Sequence, residues 1–232
     1  MKHIQKNKKE PIELTEDKKV FNSFESLSGE AKKAVQEALL DEQGYICAYC
    51  MQRISTERNK KLNKPRIEIE HYLPQQTYPN EVLNYQNMLG VCNGNINNTL
   101  HCDKTMNGKS DGTIILKKLN PLDKNCEKLI AYQKDGKIIS KNNDIDVEND
   151  LNQILNLNHT QLCQNRKIAL DKYYDDFKKQ NNDRTKWNKV LFEKFIEEKL
   201  IPKNKKGQFK EFVNFLIAFF EEKKEKGKYN KK

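Results

Sequence analysis

The sequence predicts an α+β fold: a cysteine-rich centre of short strands, entered through an N-terminal arm and helix and followed by a helical C-terminal region. Three observations predict it. Residues 28–43, and the chain from Val147 onward, repeat apolar side chains at helical spacing. Residues 66–71 alternate apolar and polar side chains, as a half-buried strand does. Between these, the chain from Tyr45 to Asn120 breaks into short pieces that hold Cys47, Cys50, Cys92 and Cys102.

The elements follow in order. Residues 1–27 are polar, carry Pro11 and repeat few positions at a helical period. They read as an extended arm with at most short helices, too weakly apolar to bury itself, and either this arm or the C-terminal helices are expected to dock on a partner. Ser28 can cap a helix whose stripe is Ala31, Ala34, Val35, Ala38 and Leu39, and Gly44 stops it. Asn120-Pro121 ends an element. Residues 129–140 read as a hairpin turning at Asp135-Gly136, a two-residue turn signal. Val147, Leu151, Ile154 and Leu155 share a helical face. Leu162, Arg166, Ala169, Leu170, Tyr173 and Phe177 mark a longer helix, and Trp187, Val190, Leu191 and Phe195 another. A breaker-rich loop spans 202–207. Phe209, Phe212, Val213, Leu216, Ile217 and Phe220 then form a last amphipathic helix, read as core, and residues 223–232 a frayed lysine-rich tail. There is no internal repeat.

A chain of 232 residues allows one large domain or two small ones. The reading here is an arm over 1–27, a central domain over 28–125, and a hairpin plus helices over 126–232. Apolar residues make up 36% and charged residues 33%, so the core is small or spread over helices. The net charge of +10 favours an acidic partner, of which nucleic acid is the commonest, although plain solubility also explains it. No run approaches the ~18 apolar residues of a membrane helix. The basic start has no apolar stretch behind it, so it is not a secretory signal and a cytoplasmic protein is expected. Cysteines there stay reduced, which turns six of them toward metal or burial rather than disulfides.

Cys47-Ala48-Tyr49-Cys50 has the spacing that turns two sulfurs toward one tetrahedral ion. Cys92 and Cys102 supply the second pair, across a gap of nine residues that works if the loop folds out and returns. The four together are expected to bind a structural Zn²⁺; the alternative is a redox pair with two unrelated buried thiols. Cys126 and Cys163 stand outside the pattern.

Between the pairs, Ile69-Glu70-His71-Tyr72 puts a carboxylate directly before a histidine at a strand end. Phosphodiester hydrolysis needs a base to activate water and a hard cation to take up phosphate charge. A neutral imidazole suits the first task and a carboxylate the second. Adjacent residues can divide them, though such a pair also arises as plain surface. Asn87 can hold the loop or orient the histidine by a hydrogen bond. Asp103, at a helix start just after Cys102, can give a second metal-binding oxygen. His101 is a group behind the metal, a phosphate contact or exposed loop. Arg53, Arg58, Lys60, Lys61, Lys64 and Lys104 are candidate phosphate contacts or solvated loop residues.

The order Cys47, Cys50, Glu70, His71, Asn87, Cys92, Cys102 resembles the HNH, or ββα-metal, nucleases. Lys2-His3-Ile4-Gln5-Lys6, Glu42-Gln43, Ile46-Cys47-Ala48-Tyr49-Cys50-Met51, Ile69-Glu70-His71-Tyr72-Leu73-Pro74-Gln75, the run 85–94, His101-Cys102-Asp103-Lys104 and Leu155-Asn156-Leu157-Asn158 resemble in particular the PtuB-type HNH nucleases of Septu and retron anti-phage systems. The resemblance spans roughly residues 2 to 170. It implies a zinc-stapled ββα-metal core over 28–125. Glu70 and Asp103 would hold a catalytic Mg²⁺ or Mn²⁺, His71 would be the general base and Asn87 the orienting residue. It also implies cleavage of nucleic acid, DNA above all, and a PtuA-type ABC ATPase as partner. Two departures stand out. Asp103 occupies a position that is His or Asn in general HNH enzymes, and the Lys-Gly or Arg-Gly expected soon after Cys-Asp is missing. Asn107 is the alternative ligand if the helix register differs. The rival function is a non-catalytic zinc-stabilised module that binds nucleic acid or the ATPase; it has no need of the Glu70-His71-Asn87 set.

Overall fold

The computed structural model describes residues 1–58, 65–106 and 113–226 in full and residues 107–109 by their backbone. The arm carries helix α1 (Ile12–Asp17). It is not the self-exposed segment its polarity suggested. Met1, Ile4, Leu14 and Leu27 are buried in the first core. The Ile4 amide donates to the Pro121 carbonyl at 2.8 Å, and Lys6 pairs with Glu42 at 2.9 Å. A few spaced apolar residues suffice to seat a polar segment once neighbours satisfy its backbone and charge.

Helix α2 (Gly29–Gln43) begins where the Ser28 hydroxyl accepts the Ala31 amide at 3.0 Å, and ends at Gly44 in the left-handed region, φ 59°. Ala31, Val35, Leu39 and Leu40 form its buried face. Gln43 is buried on that face too, against the next element of the core. Strands β1 (Glu68–His71) and β2 (Met88–Val91) pair antiparallel, with Glu70 opposite Leu89 and His71 opposite Met88. Gln43 Nε2 donates to the Gly90 carbonyl and Gln43 Oε1 accepts the Gly90 amide, both at 2.7 Å. The side-chain amide thus closes the open edge of β2 as a third strand's peptide would.

A tight hairpin of β3 (Asn95–Ile96) and β4 (Thr99–Leu100) turns on Asn97 and Asn98, both at positive φ, and leads to α3 (Asp103–Lys109). The hairpin expected over 129–140 forms from β5 (Ile130–Tyr132) and β6 (Ile138–Ser140). Its loop is longer than the two-residue signal suggested. The Gln133 amide donates to the Lys137 carbonyl at 2.9 Å, leaving three residues outside, with Gly136 at φ 89°. A side chain at Gly136 would also run into the Cys163 carbonyl. Helix α4 (Ile145–Asn149) continues through a wider turn over 150–154. Then come α5 (Thr160–Gln180), α6 (Lys189–Phe195), which runs on to Leu200, and α7 (Val213–Lys226).

Among the described residues the fold mixes helices with three two-stranded sheets. It has two adjoining cores. The first gathers the arm, α2, β1, β2, the β5–β6 hairpin and α4. The second lies among α5, α6 and α7, where Phe177 packs against Phe192 (4.4 Å between centroids), Trp187 (5.2 Å) and Phe195 (5.3 Å). Buried residues between Cys126 and Leu162 join the first core, and those from Leu170 onward join the second together with Ile46 and Met51. Trp187 stands ahead of α6 rather than in it. Val190 is exposed, and Phe192 takes the inward place expected of it. Phe209 and Phe212 likewise precede α7. Among the described residues no helix is long and apolar enough to cross a membrane.

Candidate metal centre and acidic cleft

Cys47 and Cys50 lie in a knuckle directly after the Gly44 stop. The knuckle is closed by the Cys47 amide on the Gln52 carbonyl (2.8 Å) and the Met51 amide on the Cys47 carbonyl (3.1 Å). Cys92 leaves β2 and Cys102 precedes α3. The nine residues between them fold out as the β3–β4 hairpin and return, with the His101 amide on the Gly94 carbonyl at 2.8 Å. Gly94 has φ 59°, and a Cβ there would meet the His101 carbonyl oxygen at 2.6 Å, so the return demands glycine. All four thiols are buried, with sulfur atoms within 4.8 Å of one another. The Cys50–Cys92, Cys92–Cys102 and Cys47–Cys102 separations are 3.7, 3.8 and 3.9 Å. A tetrahedron of ~2.3 Å zinc–sulfur bonds has an edge of about 3.8 Å. The cluster can hold a metal ion such as zinc.

His101 is not exposed loop. It is buried with Nδ1 3.2 Å from the Cys102 sulfur and 3.9 Å from that of Cys92. Burial pulls its pKa down to about 4, so the ring is neutral and Nδ1–H can donate to a thiolate.

The second site is a cleft of about 370 Å³ lined by Glu25, Glu68, Glu70, His71, Gln75 and Asp103, with Lys104 at its wall. Glu70 and His71 reach it from the end of β1, and Asp103 from the first turn of α3. Burial, then the neighbouring Asp103, pushes the Glu70 carboxyl up to about 8. Burial raises Asp103 to about 6, with Lys104 opposing and Glu68 adding to the rise. Lys104 forms a close ion pair with Glu68 and lies 3.5 Å from Asp103 Oδ2. Asp103 Oδ1 is buried with no hydrogen-bond partner among the described residues. A half-buried and a buried carboxyl, both raised above their ordinary pKa and one with an unpartnered oxygen among the described residues, fit a hard divalent cation.

His71 Nε2 lies 2.8 Å from the Val82 carbonyl, and burial lowers the ring's pKa, which favours the neutral form. The side-chain hydrogen bonds of Asn87 go to the loop and not to the ring. Its Oδ1 accepts the Leu73 amide at 2.7 Å, and its Nδ2 donates to the Leu73 (3.0 Å) and Glu81 (3.2 Å) carbonyls. It ties down both ends of the loop from β1 to β2, which carries Val82.

Glu70, His71 and Asp103 thus share one cleft, with Asn87 behind the loop. The side chain of Asn107 lies outside the described residues, as do Lys60, Lys61 and Lys64. Arg53 is spoken for: its guanidinium donates to the Gly44, Tyr45 and Phe209 carbonyls. Sequence reading missed Val82, which acts through its backbone and leaves no side-chain signature, and Gln75 and Glu68, which look like ordinary surface. It also missed Tyr49. That hydroxyl is fully buried without a partner among the described residues, and Glu70 and Asp103 are the charges that most raise its pKa after burial itself.

Fold and sites define a mixed helix and small-sheet protein with a four-cysteine centre beside an acidic, histidine-bearing cleft. No protein-family model matches the chain. A curated protein described as Septu protein PtuB, from Bacillus thuringiensis, is 33% identical over 129 residues, covering 53% of this chain and 43% of that protein. The similarity supports a Septu-type relationship, and the chain spans less than half of that relative's length.

Proposed function

We propose that the chain is a metal-dependent HNH endonuclease that hydrolyses nucleic-acid phosphodiester bonds, DNA in the first instance. It would act in the cytoplasm as the nuclease subunit of a Septu-type defence complex with a PtuA-type ABC ATPase. The observation that carries the reading is the convergence of Glu70, His71 and the orphaned Asp103 Oδ1 on one cleft, on a β-hairpin followed by a helix and backed by four clustered cysteines. In this reading residues 28–125 are the nuclease domain, and the arm (1–27) and helical region (126–232) frame it.

Cys47, Cys50, Cys92 and Cys102 would hold a structural Zn²⁺, which takes no part in the chemistry and fixes the segments that present Glu70 and Asp103. Glu70 and Asp103 would hold Mg²⁺ or Mn²⁺, which when bound neutralises charge on the reacting phosphate. The chain's own work is proton transfer. The Val82 carbonyl accepts Nε2–H and leaves the lone pair of His71 on Nδ1. Nδ1 takes a proton from water, the hydroxide attacks phosphorus, and the bond to the leaving oxygen breaks. Lys104, which pairs with Glu68 and lies 3.5 Å from Asp103 Oδ2 at the wall of the cleft, would be placed to meet a phosphate oxygen.

The test is nicking of supercoiled plasmid by the purified protein, alone and with its ATPase, with and without Mg²⁺. A general base contributes about 10²- to 10⁴-fold, so His71→Ala should lose at least about 100-fold. Cleavage that survives His71→Ala, or that ignores Mg²⁺, overturns the reading.

A further inference from the structure

Both nitrogens of the His71 ring are engaged. Nε2 sits 2.8 Å from the Val82 carbonyl, and a carbonyl only accepts, so in the neutral ring the proton is on Nε2 and the lone pair on Nδ1. Nδ1 in turn lies 3.1 Å from Gln75 Nε2, an amide nitrogen that only donates. Phe24 meets the ring edge-on at 5.0 Å and 85°, which limits rotation away from these partners. Gln75 stands four residues beyond His71, in a turn closed by the Tyr78 amide on the Pro74 carbonyl at 2.8 Å. It is half-buried and lines the same cleft as Glu70 and Asp103.

One lone pair cannot accept the Gln75 N–H and take a proton from water at the same time. We infer that Gln75 is a positioning residue that holds the base of His71 closed, and that its amide withdraws from Nδ1 when water and a phosphodiester occupy the cleft. The inference rests on the reading of His71 as the base. The half-exposed side chain can swing into the cleft without moving the backbone of its turn. The hold is that of one neutral hydrogen bond, so its removal frees the lone pair by about 2- to 10-fold. It is a modest brake that substrate contacts can overcome.

The experiment uses the full chain with Gln75→Leu and Gln75→Glu, and reads two quantities. The first is the rate at which diethyl pyrocarbonate acylates His71, followed by peptide mass spectrometry. Only Nδ1 carries an in-plane lone pair, so the rate reports how far Gln75 leaves it available, without any need for cleavage. Gln75→Leu should react about 2- to 10-fold faster than the unaltered protein. The second is Mg²⁺-dependent plasmid nicking, which should rise by a similar factor in Gln75→Leu. In Gln75→Glu it should fall, because a carboxylate facing Nδ1 favours the protonated imidazolium. A purely structural role would slow both variants alike. Unchanged acylation in Gln75→Leu, or slower nicking by that variant with its melting temperature intact, overturns the closed-base inference and leaves His71 as base. Nicking that persists in Gln75→Leu/His71→Ala instead overturns the base itself.

Discussion

At the scale of single residues, the cleft sets charge against burial. Burial raises Glu70 to about 8 and Asp103 to about 6, so near neutral pH metal-free protein keeps the Glu70 proton while Asp103 is largely ionised beside Lys104. A carboxyl whose pKa is raised by folding contributes stability that is complete below its ordinary pKa, about 4, and is lost as pH rises through its folded value. Metal-free protein should therefore lose melting temperature between pH 5 and pH 8, Glu70→Gln should flatten that decline, and added Mg²⁺ should restore more at pH 8 than at pH 5. A thermal melt series reads all three; a decline identical in Glu70→Gln would assign the pH dependence elsewhere. Asn87 carries a separate expectation. Its amide makes three bonds to the loop, so Asn87→Ala should cost about 1–3 kcal/mol in denaturant melts. It should also lower nicking at least tenfold, by releasing the loop that holds Val82 against His71. These side chains were legible because carboxylate, imidazole and amide stood in an informative order between cysteine pairs. The backbone carbonyl of Val82 was not, since any residue supplies one.

At the scale of elements, caps and periodicity read well. Ser28 and Gly44 bound α2 where the sequence placed them, and the β1 alternation fell within 66–71. What did not read were decisions taken by partners. Gln43 looks like an ordinary last-turn residue, yet it completes the edge of β2. Gln43→Leu would leave the Gly90 amide without that acceptor in a buried place, at a cost of about 1–3 kcal/mol. The same variant should speed hydrogen exchange at Gly90 while sparing α5–α7, and equal protection at Gly90 would show that the side-chain amide is dispensable. The arm was misjudged for a related reason. Composition reports how little it can bury alone, not the pocket that α2 and the Pro121 segment offer it.

At the scale of the whole molecule, the cysteine knuckle joins the two cores. Cys47, Ala48, Tyr49 and Cys50 belong to the first, while Ile46 and Met51, the residues on either side, belong to the second. Metal removal should therefore be felt in the helical region. Trp187 is the chain's single tryptophan and sits in the second core, so its fluorescence reports there. A strong zinc chelator should release about one Zn²⁺ per chain and lower the Trp187 unfolding midpoint; a midpoint unmoved by metal loss would mean that the cores stand independently. The seam beside the knuckle also has a history in time. Its fastenings join distant parts of the chain. The Phe209 amide meets the Gly44 carbonyl at 2.9 Å, the Phe212 amide meets the Met51 carbonyl at 3.0 Å, and the Arg53 amide meets Glu211 at 2.8 Å across 158 positions. A ribosome adding about 5–20 residues per second takes roughly 8–30 s to bridge that span. For those seconds Ile46 and Met51 have no helical bundle to cover them. Early capture of zinc by the knuckle, as soon as Cys102 emerges, would keep that apolar pair in one fixed geometry until the bundle arrives.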